Sequence, residues 1–233
     1  MKKQNLIPRI FLMLTGLLPK AWRDSNRRRF YESWALWSWH WRKLQGMPKE
    51  PSLPEGAVWL HLGCGRLNVP GFVNVDARPH AHIHHLSTVE KLPFIEDETV
   101  DLVYVSHCLE HISHLKVSAV LKEWKRVLKV GGCLRIAVPD FNAIIDAYNI
   151  SGRDMSLIQP YLMGGQDYAL NFHFVMFTHD FLEKLFLELG FCDVRKWNPL
   201  DSDYGEIVDC SSAAITTKDR VVPISLNLEA TKG

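Results

Sequence analysis

The sequence predicts an α/β protein in which a mostly parallel, seven-stranded sheet is flanked by helices. Two observations support this prediction. After residue 57, short runs rich in β-branched and apolar residues alternate with segments of helical periodicity. Tight glycine turns also follow or precede several of these runs, as expected where strands of a parallel sheet connect to their crossovers.

The predicted elements follow in chain order from these patterns. Apolar residues at 117, 120, 121, 124, 127 and 128 predict one buried helix face, and the diglycine Gly131-Gly132 predicts where that helix stops. Strands are predicted at 58–62, 72–75, 82–86, 100–105, 132–138, 191–197 and 206–215, and helices at 115–129, 141–150 and 179–189.

A proline-rich linker at 48–54 predicts two domains, an arm at 1–50 and a folded domain at 51–233. The arm has eleven Lys/Arg against three Asp/Glu and holds five of the eight tryptophans. Phe30, Trp34, Trp37 and Trp41 recur at helical spacing, which predicts a basic, Trp-rich helical arm. Such a helix fits peripheral contact with a membrane surface, and it equally fits packing on the domain or self-association.

The length of an apolar run and the arrangement of the cysteines indicate the cellular compartment of the protein. The apolar run at 10–18 has nine residues, whereas a membrane-spanning helix needs about 20. The five cysteines are scattered without a C-x-x-C pair, which indicates a reducing compartment and argues against a disulfide framework. We therefore expect a cytoplasmic protein that can lie at a membrane surface.

A glycine turn and an acidic residue predict a Rossmann-like nucleoside site. The first apolar run ends at Gly63-Cys64-Gly65, and the second ends at Asp76. The glycines allow close backbone approach to a ligand, and the carboxylate accepts hydrogen bonds from ribose hydroxyls. Only thirteen residues separate Gly63 from Asp76, so any helix between the first two strands has a turn or two at most.

Four motifs together resemble the class I S-adenosylmethionine-dependent methyltransferases. They are Leu-His-Leu-Gly-Cys-Gly at 60–65 with Val-Asn-Val-Asp at 73–76, Leu-Pro-Phe at 92–94, Ser-His with Leu-Glu-His at 106–111, and Leu-Lys-Val-Gly-Gly at 128–132. The resemblance spans about 58–138. It implies an enzyme of class EC 2.1.1.- that uses S-adenosylmethionine.

The resemblance also implies which residues bind the cofactor. Thr88 stands where the family usually has an aspartate that binds the adenine amine, so the charge is missing there. The residues implied at the cofactor are Gly63, Cys64, Gly65, Asp76, Ala77, Thr88, Val89 and Ser106.

A general base helps methyl transfer only when the acceptor must lose a proton. The preferred candidate is His173, in an irregular stretch after Gly164-Gly165, and His107 is the second. Asp140 fits either a base or a helix cap. The histidines at 80, 82, 84 and 85 invite a metal interpretation, but no acidic or cysteine partner is evident nearby, and we predict no metal site.

The predicted function is methyl transfer to an oxygen or nitrogen of a small molecule, a glycan or a lipid-linked precursor. Two alternatives remain. Thr88 and the short first crossover fit a non-catalytic cofactor-binding scaffold. The basic arm fits an RNA methyltransferase, which would show strongly salt-dependent binding; no nucleic-acid-recognition motif is present, and a nucleic-acid partner is not our prediction.

Overall fold

The computed structural model describes residues 33, 36, 37, 39–41, 43, 44, 46, 48–201, 203–205 and 207–233. Two compact units are distinguished. The described residues before Met47 group with Pro79–Ala81, and 48–78 with 82–233 form the larger unit. The apolar run at 10–18, Phe30 and Trp34 lie outside the described residues. No helix in the described residues is long and apolar enough to cross a bilayer.

The described residues of the arm are helical where the sequence predicted a helix. The rings of Trp37 and Trp41 are stacked, with centroids 5.6 Å apart and planes 13° from parallel, as expected for residues four apart on one helix face. Lys43 places its ammonium 3.8 Å from the centroid of the Trp39 ring. Trp37 and Trp41 are each nearly half exposed.

The larger unit is built on a seven-stranded sheet that confirms the predicted fold class. Its strands are β1 (Trp59–Leu62), β2 (Phe72–Asp76), β3 (His85–Leu86), β4 (Val100–Ser106), β5 (Leu128–Pro139), β6 (Phe191–Lys196) and β9 (Ser225–Lys232). Their order is β3-β2-β1-β4-β5-β9-β6. The first five run parallel, and β9 lies antiparallel between β5 and β6. A separate two-stranded sheet pairs β7 (Ala214–Thr216) with β8 (Val221–Pro223).

Four helices belong to this unit: α1 (Val117–Val127), α2 (Phe141–Ile150), α3 (Met155–Met163) and α4 (His179–Glu188). Helix α1 buries the predicted face, including Trp124, whose indole N–H donates to the Val89 carbonyl at 2.9 Å. The main core lies between α1, α4 and the sheet, and β1, β2 and β4 are almost fully buried. Helices α2 and α3 pack with β7 and β8 in a separate apolar cluster.

The prediction that α1 continues to residue 129 is wrong by two residues. Leu128 adopts an extended conformation and pairs with Val100, so the segment before Gly131-Gly132 already belongs to β5. The pairing of this segment with β4 overrides the helical pattern. Strand β3 is also much shorter than the predicted 82–86.

The predicted strand at 206–215 is wrong except at its end, where β7 begins at Ala214, and β9 was not predicted. Within the described part of that segment, Asp209 caps a short 3-10 turn, Cys210–Ser212, by accepting from the Ser211 N–H at 2.8 Å. The strand that completes the sheet is β9. Its Glu229 accepts hydrogen bonds from Arg135 of β5 at 2.8 Å and from Arg195 of β6 at 2.6 Å, which joins three neighbouring strands.

Candidate functional site

A cleft of about 470 Å³ opens where β1, β2 and β4 end. This is the edge at which ligands bind to open parallel sheets, because the strand order reverses there. Most of the predicted site residues line it: Gly63, Cys64, Asp76, Ala77, Thr88, Val89, Ser106 and His107. Gly65 and His173 do not line the cleft. The Gly65 N–H donates to Asp76, which does line it, and His173 lies 4.0 Å from Glu110 beside it.

The glycine turn after β1 is held tightly from two sides. Gly63 has a φ of +66°, and its N–H donates to the Val75 carbonyl at 2.9 Å. A Cβ atom at this position would lie 2.5 Å from the sulfur of Cys108, so only glycine fits without a shift. Residues 63–71 form turns without a helix, in agreement with the short spacing to Asp76.

Asp76 joins the end of β2 to the glycine turn. Its Oδ2 accepts the Gly65 N–H and its Oδ1 accepts the Arg78 N–H, both at 2.7 Å. The residue is only 6% exposed, and it lines the cleft. A carboxylate has about four acceptor positions, so each oxygen can still accept a hydrogen bond from a ligand hydroxyl.

Thr88 and Val89 form another wall of the cleft. The Thr88 residue is exposed and Val89 is buried. The hydrogen bond from Trp124 to the Val89 carbonyl anchors this segment to α1. The hydroxyl of Thr88 is therefore available at the cleft, but no carboxylate replaces the missing aspartate at this position.

The end of β4 contributes two predicted residues. The Oγ atom of Ser106 is buried and has no hydrogen-bond partner among the described residues. His107 has a φ of +47°, an uncommon conformation for a residue with a side chain, and its N–H donates to the Ala137 carbonyl at 2.8 Å. Its Nε2 lies 3.0 Å from the Ser225 hydroxyl, so β9 orients the ring.

His107 belongs to a cluster that we call the histidine–glutamate cluster, consisting of His107, Glu110, His111 and His173. Nδ1 of His107 lies 3.4 Å from Oε1 of Glu110, and Nε2 of His173 lies 4.0 Å from the same oxygen. The rings of His111 and His173 meet edge to face at 4.9 Å. His111 lines the cleft, so the cluster adjoins its wall.

Two chain segments bring this cluster together. Glu110 and His111 lie in the 3-10 turn Leu109–His111 after β4, and His173 lies in the irregular stretch between α3 and α4. The backbone N–H of Phe174 donates to the Glu110 carbonyl at 2.8 Å, and the N–H of His173 donates to the Met163 carbonyl at 3.1 Å. The stretch is thereby attached both to α3 and to the turn after β4.

Burial and neighbouring charges shift the pKa values of three groups in and beside the cleft. Burial lowers the pKa of His173, which favours the neutral imidazole, although the charge of Glu110 opposes the shift. Burial acts to raise the pKa of Glu110, but the neighbouring His107 and His111 outweigh it and the net shift is downward. At the floor of the cleft, burial lowers the pKa of His61 to about 4.

The remaining candidates have structural roles. The Asp140 side chain caps α2 by accepting from the N–H groups of Asn142 and Ala143, so the cap alternative is the one the structure shows. Two histidines of the group at 80–85 have separate structural contacts. Nδ1 of His84 accepts a hydrogen bond from the Asn74 N–H at 2.8 Å. His85 lies 2.8 Å from Glu50, and its ring stacks on that of Phe94.

Comparison with known proteins agrees with this architecture. Residues 72–136, from β2 into β5, match the family model described as a methyltransferase domain. The matched segment includes Asp76, the end of β4 and most of the histidine–glutamate cluster. Residues 72–136 therefore resemble a methyltransferase domain, in agreement with the class I S-adenosylmethionine-dependent family that the sequence motifs resemble.

Several solved structures resemble this chain in fold. One is a possible histamine N-methyltransferase from Thermotoga maritima, at 18% identity over 78% of this chain and 84% of that one, with a TM-score of 0.47. A methyltransferase of Haloferax volcanii in complex with the activator Trm112 has 17% identity over 91% and 96%, with a TM-score of 0.49. No curated protein matches the chain significantly.

A third resemblance is to the 1,6-didemethyltoxoflavin-N1-methyltransferase of Burkholderia thailandensis, whose structure holds its substrate and S-adenosylhomocysteine. The identity is 16% over 90% of this chain and 83% of that one, with a TM-score of 0.47. These identities and scores are too low to carry any argument about the acceptor, and the residues of this chain must supply it.

S-adenosylmethionine is the cofactor that the resemblance implies for this cleft. The residues present fit it. The cleft lies within the range of about 300–1,000 Å³ usual for ligand sites. The buried Ser106 Oγ has no partner in the described part of the chain, and Asp76 retains acceptor capacity at the end of β2.

The cleft is also lined by residues that were not predicted from the sequence. The Arg78 guanidinium lies 4.4 Å from the centroid of the Tyr168 ring, so the stretch after α3 reaches the region beyond Asp76. On the opposite side, Asp209 accepts a hydrogen bond from the Tyr104 hydroxyl at 2.7 Å. Arg78 could have been selected from the sequence, because it lies two residues after Asp76. Tyr168 and Asp209 are distant in sequence from the motifs, and only the tertiary fold brings them to the cleft.

Proposed function

We propose that the protein transfers a methyl group from S-adenosylmethionine to an oxygen or nitrogen of a small molecule, a glycan or a lipid-linked precursor. The observation that carries this proposal is the common wall of the cofactor cleft and the histidine–glutamate cluster. Ser106, His107 and His111 line the cleft, while Glu110 and His173 lie directly behind them. Proton-accepting groups at this wall suit an acceptor that loses a proton on methylation.

The cofactor-side roles are part of the proposal. Gly63, Cys64 and Gly65 take the backbone close to the amino-acid and ribose parts of the cofactor, and Asp76 accepts from the ribose hydroxyls. The adenine lies at Ala77, Thr88 and Val89, and Ser106 faces the region of the sulfonium. The cofactor supplies an already activated methyl group, so these residues need only orient it and exclude water.

The acceptor side is assigned to the histidines. His107 lies on the cleft wall, with β9 fixing its ring through Ser225. His173 belongs to the same cluster and is held neutral by burial, which is the protonation state that a base requires. We therefore propose His107 and His173 as the groups that receive the acceptor proton.

The arm supports the choice of a membrane-associated acceptor and a location at the cytoplasmic surface of a membrane. The arm has a large excess of basic residues, and Trp37 and Trp41 present two adjacent, partly exposed rings. Tryptophan favours the headgroup level of a bilayer, and basic residues attract anionic lipid. The alternative is that a second copy of the chain packs on these rings.

Calorimetry with S-adenosylmethionine, followed by a screen of acceptors with an isotope-labelled methyl donor, tests the function. We expect cofactor binding and a mass shift on one acceptor class. An absence of cofactor binding by the unaltered protein contradicts the proposal. Tight binding without turnover on any acceptor favours the scaffold alternative, and steeply salt-dependent binding to RNA favours the RNA methyltransferase.

A further inference from the structure

The histidine–glutamate cluster contains an arrangement that proton transfer alone does not explain. Glu110, His111 and His173 each offer one potential ligand atom, and these three atoms lie within 4.8 Å of one another. In the described part of the chain, they form the one such group of three. Two imidazoles and a carboxylate are a donor set that divalent transition metals bind in proteins.

Both imidazoles are held in the tautomer that a metal ligand needs. Nδ1 of His111 lies 3.1 Å from the Phe172 carbonyl, and Nδ1 of His173 lies 2.9 Å from the Tyr161 carbonyl. Because a carbonyl oxygen only accepts, each Nδ1 carries the proton and each Nε2 presents a lone pair. A hydrogen bond of this kind from the non-ligating nitrogen is the usual support of a metal-binding histidine.

The carboxylate of Glu110 is a second observation that points to cation binding at this cluster. Glu110 is 1% exposed, and neither of its oxygens has a hydrogen-bond partner among the described residues. His107 Nδ1, at 3.4 Å, is too distant for a well-formed hydrogen bond. Without well-formed hydrogen bonds, this buried carboxylate depends on neighbouring positive charge, which a bound cation supplies more strongly than the adjacent imidazoles of His107 and His111.

We propose that Glu110, His111 and His173 form a binding site for a divalent transition-metal ion, with Zn²⁺ as the ion that this donor set fits best. Ligand bonds of about 2.0–2.1 Å in a tetrahedral site hold ligand atoms about 3.3 Å apart. Binding would therefore draw the three atoms together by up to about 1.5 Å, a change within reach of side-chain rotation. Three protein ligands leave a coordination position open, as in catalytic zinc sites.

The position of the site suggests its use. His111 lines the cofactor cleft, so an ion bound there faces the wall at which the acceptor enters. A cation at this wall lowers the pKa of a hydroxyl brought beside it. His173 then acts as a ligand, and acceptance of the proton is left to His107. This use rests on the proposed function, whereas ion binding does not.

Metal titration of the full chain tests the site. The protein, without a polyhistidine tag, is freed of metal with a chelator and titrated with Co²⁺, whose visible absorption reports its coordination; Zn²⁺ is then added as competitor. We expect one Co²⁺ per chain with a low-coordinate spectrum that Zn²⁺ abolishes. His111→Ala, His173→Ala and Glu110→Gln should each weaken binding at least about 10-fold.

His179→Ala is the matched control. His179 lies beside Asp180 and Glu183 at the start of α4, so it is also a histidine with neighbouring carboxylates, but it is outside the cluster. Its removal should leave the Co²⁺ spectrum and affinity unchanged. A loss of binding equal to that of His173→Ala would show that surface histidines hold the ion, and the proposal would fail.

A second measurement separates this proposal from the proposed function. Binding of S-adenosylhomocysteine to every variant reports both the fold and the cofactor cleft. If Glu110→Gln does not fold, His111→Ala and His173→Ala carry the test. Absence of Co²⁺ and Zn²⁺ binding by the unaltered protein, or unchanged binding in both histidine variants, overturns the site even when the cofactor binds. Metal binding without cofactor binding retains the site and rejects the methyltransferase proposal.

Discussion

The carboxylate of Asp76 at the end of β2 accepts the backbone N–H of Gly65 at 2.7 Å. One acidic residue therefore fixes the glycine turn and also faces the cofactor cleft. No helix follows the glycine turn, so this hydrogen bond takes over the positioning that a helix provides in longer crossovers.

Asp76→Ala should weaken S-adenosylmethionine binding by about 10-fold to 100-fold, because hydrogen bonds to a charged group contribute about 1.5–3 kcal/mol. Calorimetry measures the change. The surface variant Asp180→Ala is the control and should bind as the unaltered protein does. Equal affinities in Asp76→Ala and the unaltered protein would contradict the assignment of the ribose hydroxyls to this residue.

Gly63→Ala should destabilise the domain more than Gly152→Ala. Both glycines have positive φ, at +66° and +75°, and alanine there is unfavourable by about 1–2 kcal/mol. A Cβ at Gly152 meets nothing within 4 Å, whereas one at Gly63 meets the Cys108 sulfur at 2.5 Å, which adds about 1–3 kcal/mol. Thermal unfolding of the two variants compares them, and equal melting temperatures would contradict the close packing of the turn.

His61 should make stability fall as the pH is lowered from about 6.5 to 4. Burial lowers its pKa from 6.5 to about 4, so below pH 6.5 the unfolded chain binds a proton that the folded chain does not. The contribution is complete above pH 6.5, and linkage gives a loss of about 2 kcal/mol between pH 7.5 and 5. His61→Phe removes the titrating group and keeps a ring that can pack edge to face on Tyr104. The free energy of unfolding, measured with urea, should therefore fall less between pH 6.5 and 4.

The histidine control for this experiment is His179→Ala on the surface of α4, which should keep the pH dependence of the unaltered protein. The measurements are made without cofactor, because His61 lines the cleft. An unchanged slope between pH 6.5 and 4 in His61→Phe would show that another group causes the dependence.

His173→Ala should lower kcat by about 100-fold or more and leave the affinity for S-adenosylhomocysteine unchanged. The reason is that His173 adjoins the acceptor wall and does not line the cofactor cleft. Phe172→Ala, which removes a partly exposed ring in the same stretch, is the control for local disruption. Unchanged turnover in His173→Ala eliminates both its role as a base and its role as a ligand in catalysis.

The Trp37→Ala, Trp41→Ala double variant should lose binding to anionic liposomes, because the two stacked rings are the partly exposed aromatic surface of the described arm residues. Sedimentation with vesicles of anionic lipid measures it. Leu44→Ala, an exposed apolar residue on the same helix, is the control. A drop in molecular mass in place of lost lipid binding would assign the rings to self-association.

The order of elements was predictable where local pattern and final environment agree. Helix α1 shows this, since its apolar spacing coincides with the face that packs on the sheet. Strand β9 shows the opposite. Leu226, Leu228 and Ala230 alternate as a strand requires, but the strand is specified by long-range pairing to β5 and by the contacts of Glu229 with Arg135 and Arg195. Such pairing leaves only a weak local signal.

The sequence by itself determined the proposed cofactor half of the site. Gly63, Asp76 and Ser106 each lie at the end of a strand, and parallel strands bring their carboxyl ends to one edge whatever the loops do. Only the tertiary structure decided the acceptor half. Glu110 and His111 are 62 or more residues from His173 in the chain, and they meet because the stretch after α3 is hydrogen-bonded to the turn after β4. Local periodicity carries no information about such contacts, since they depend on how two loops pack.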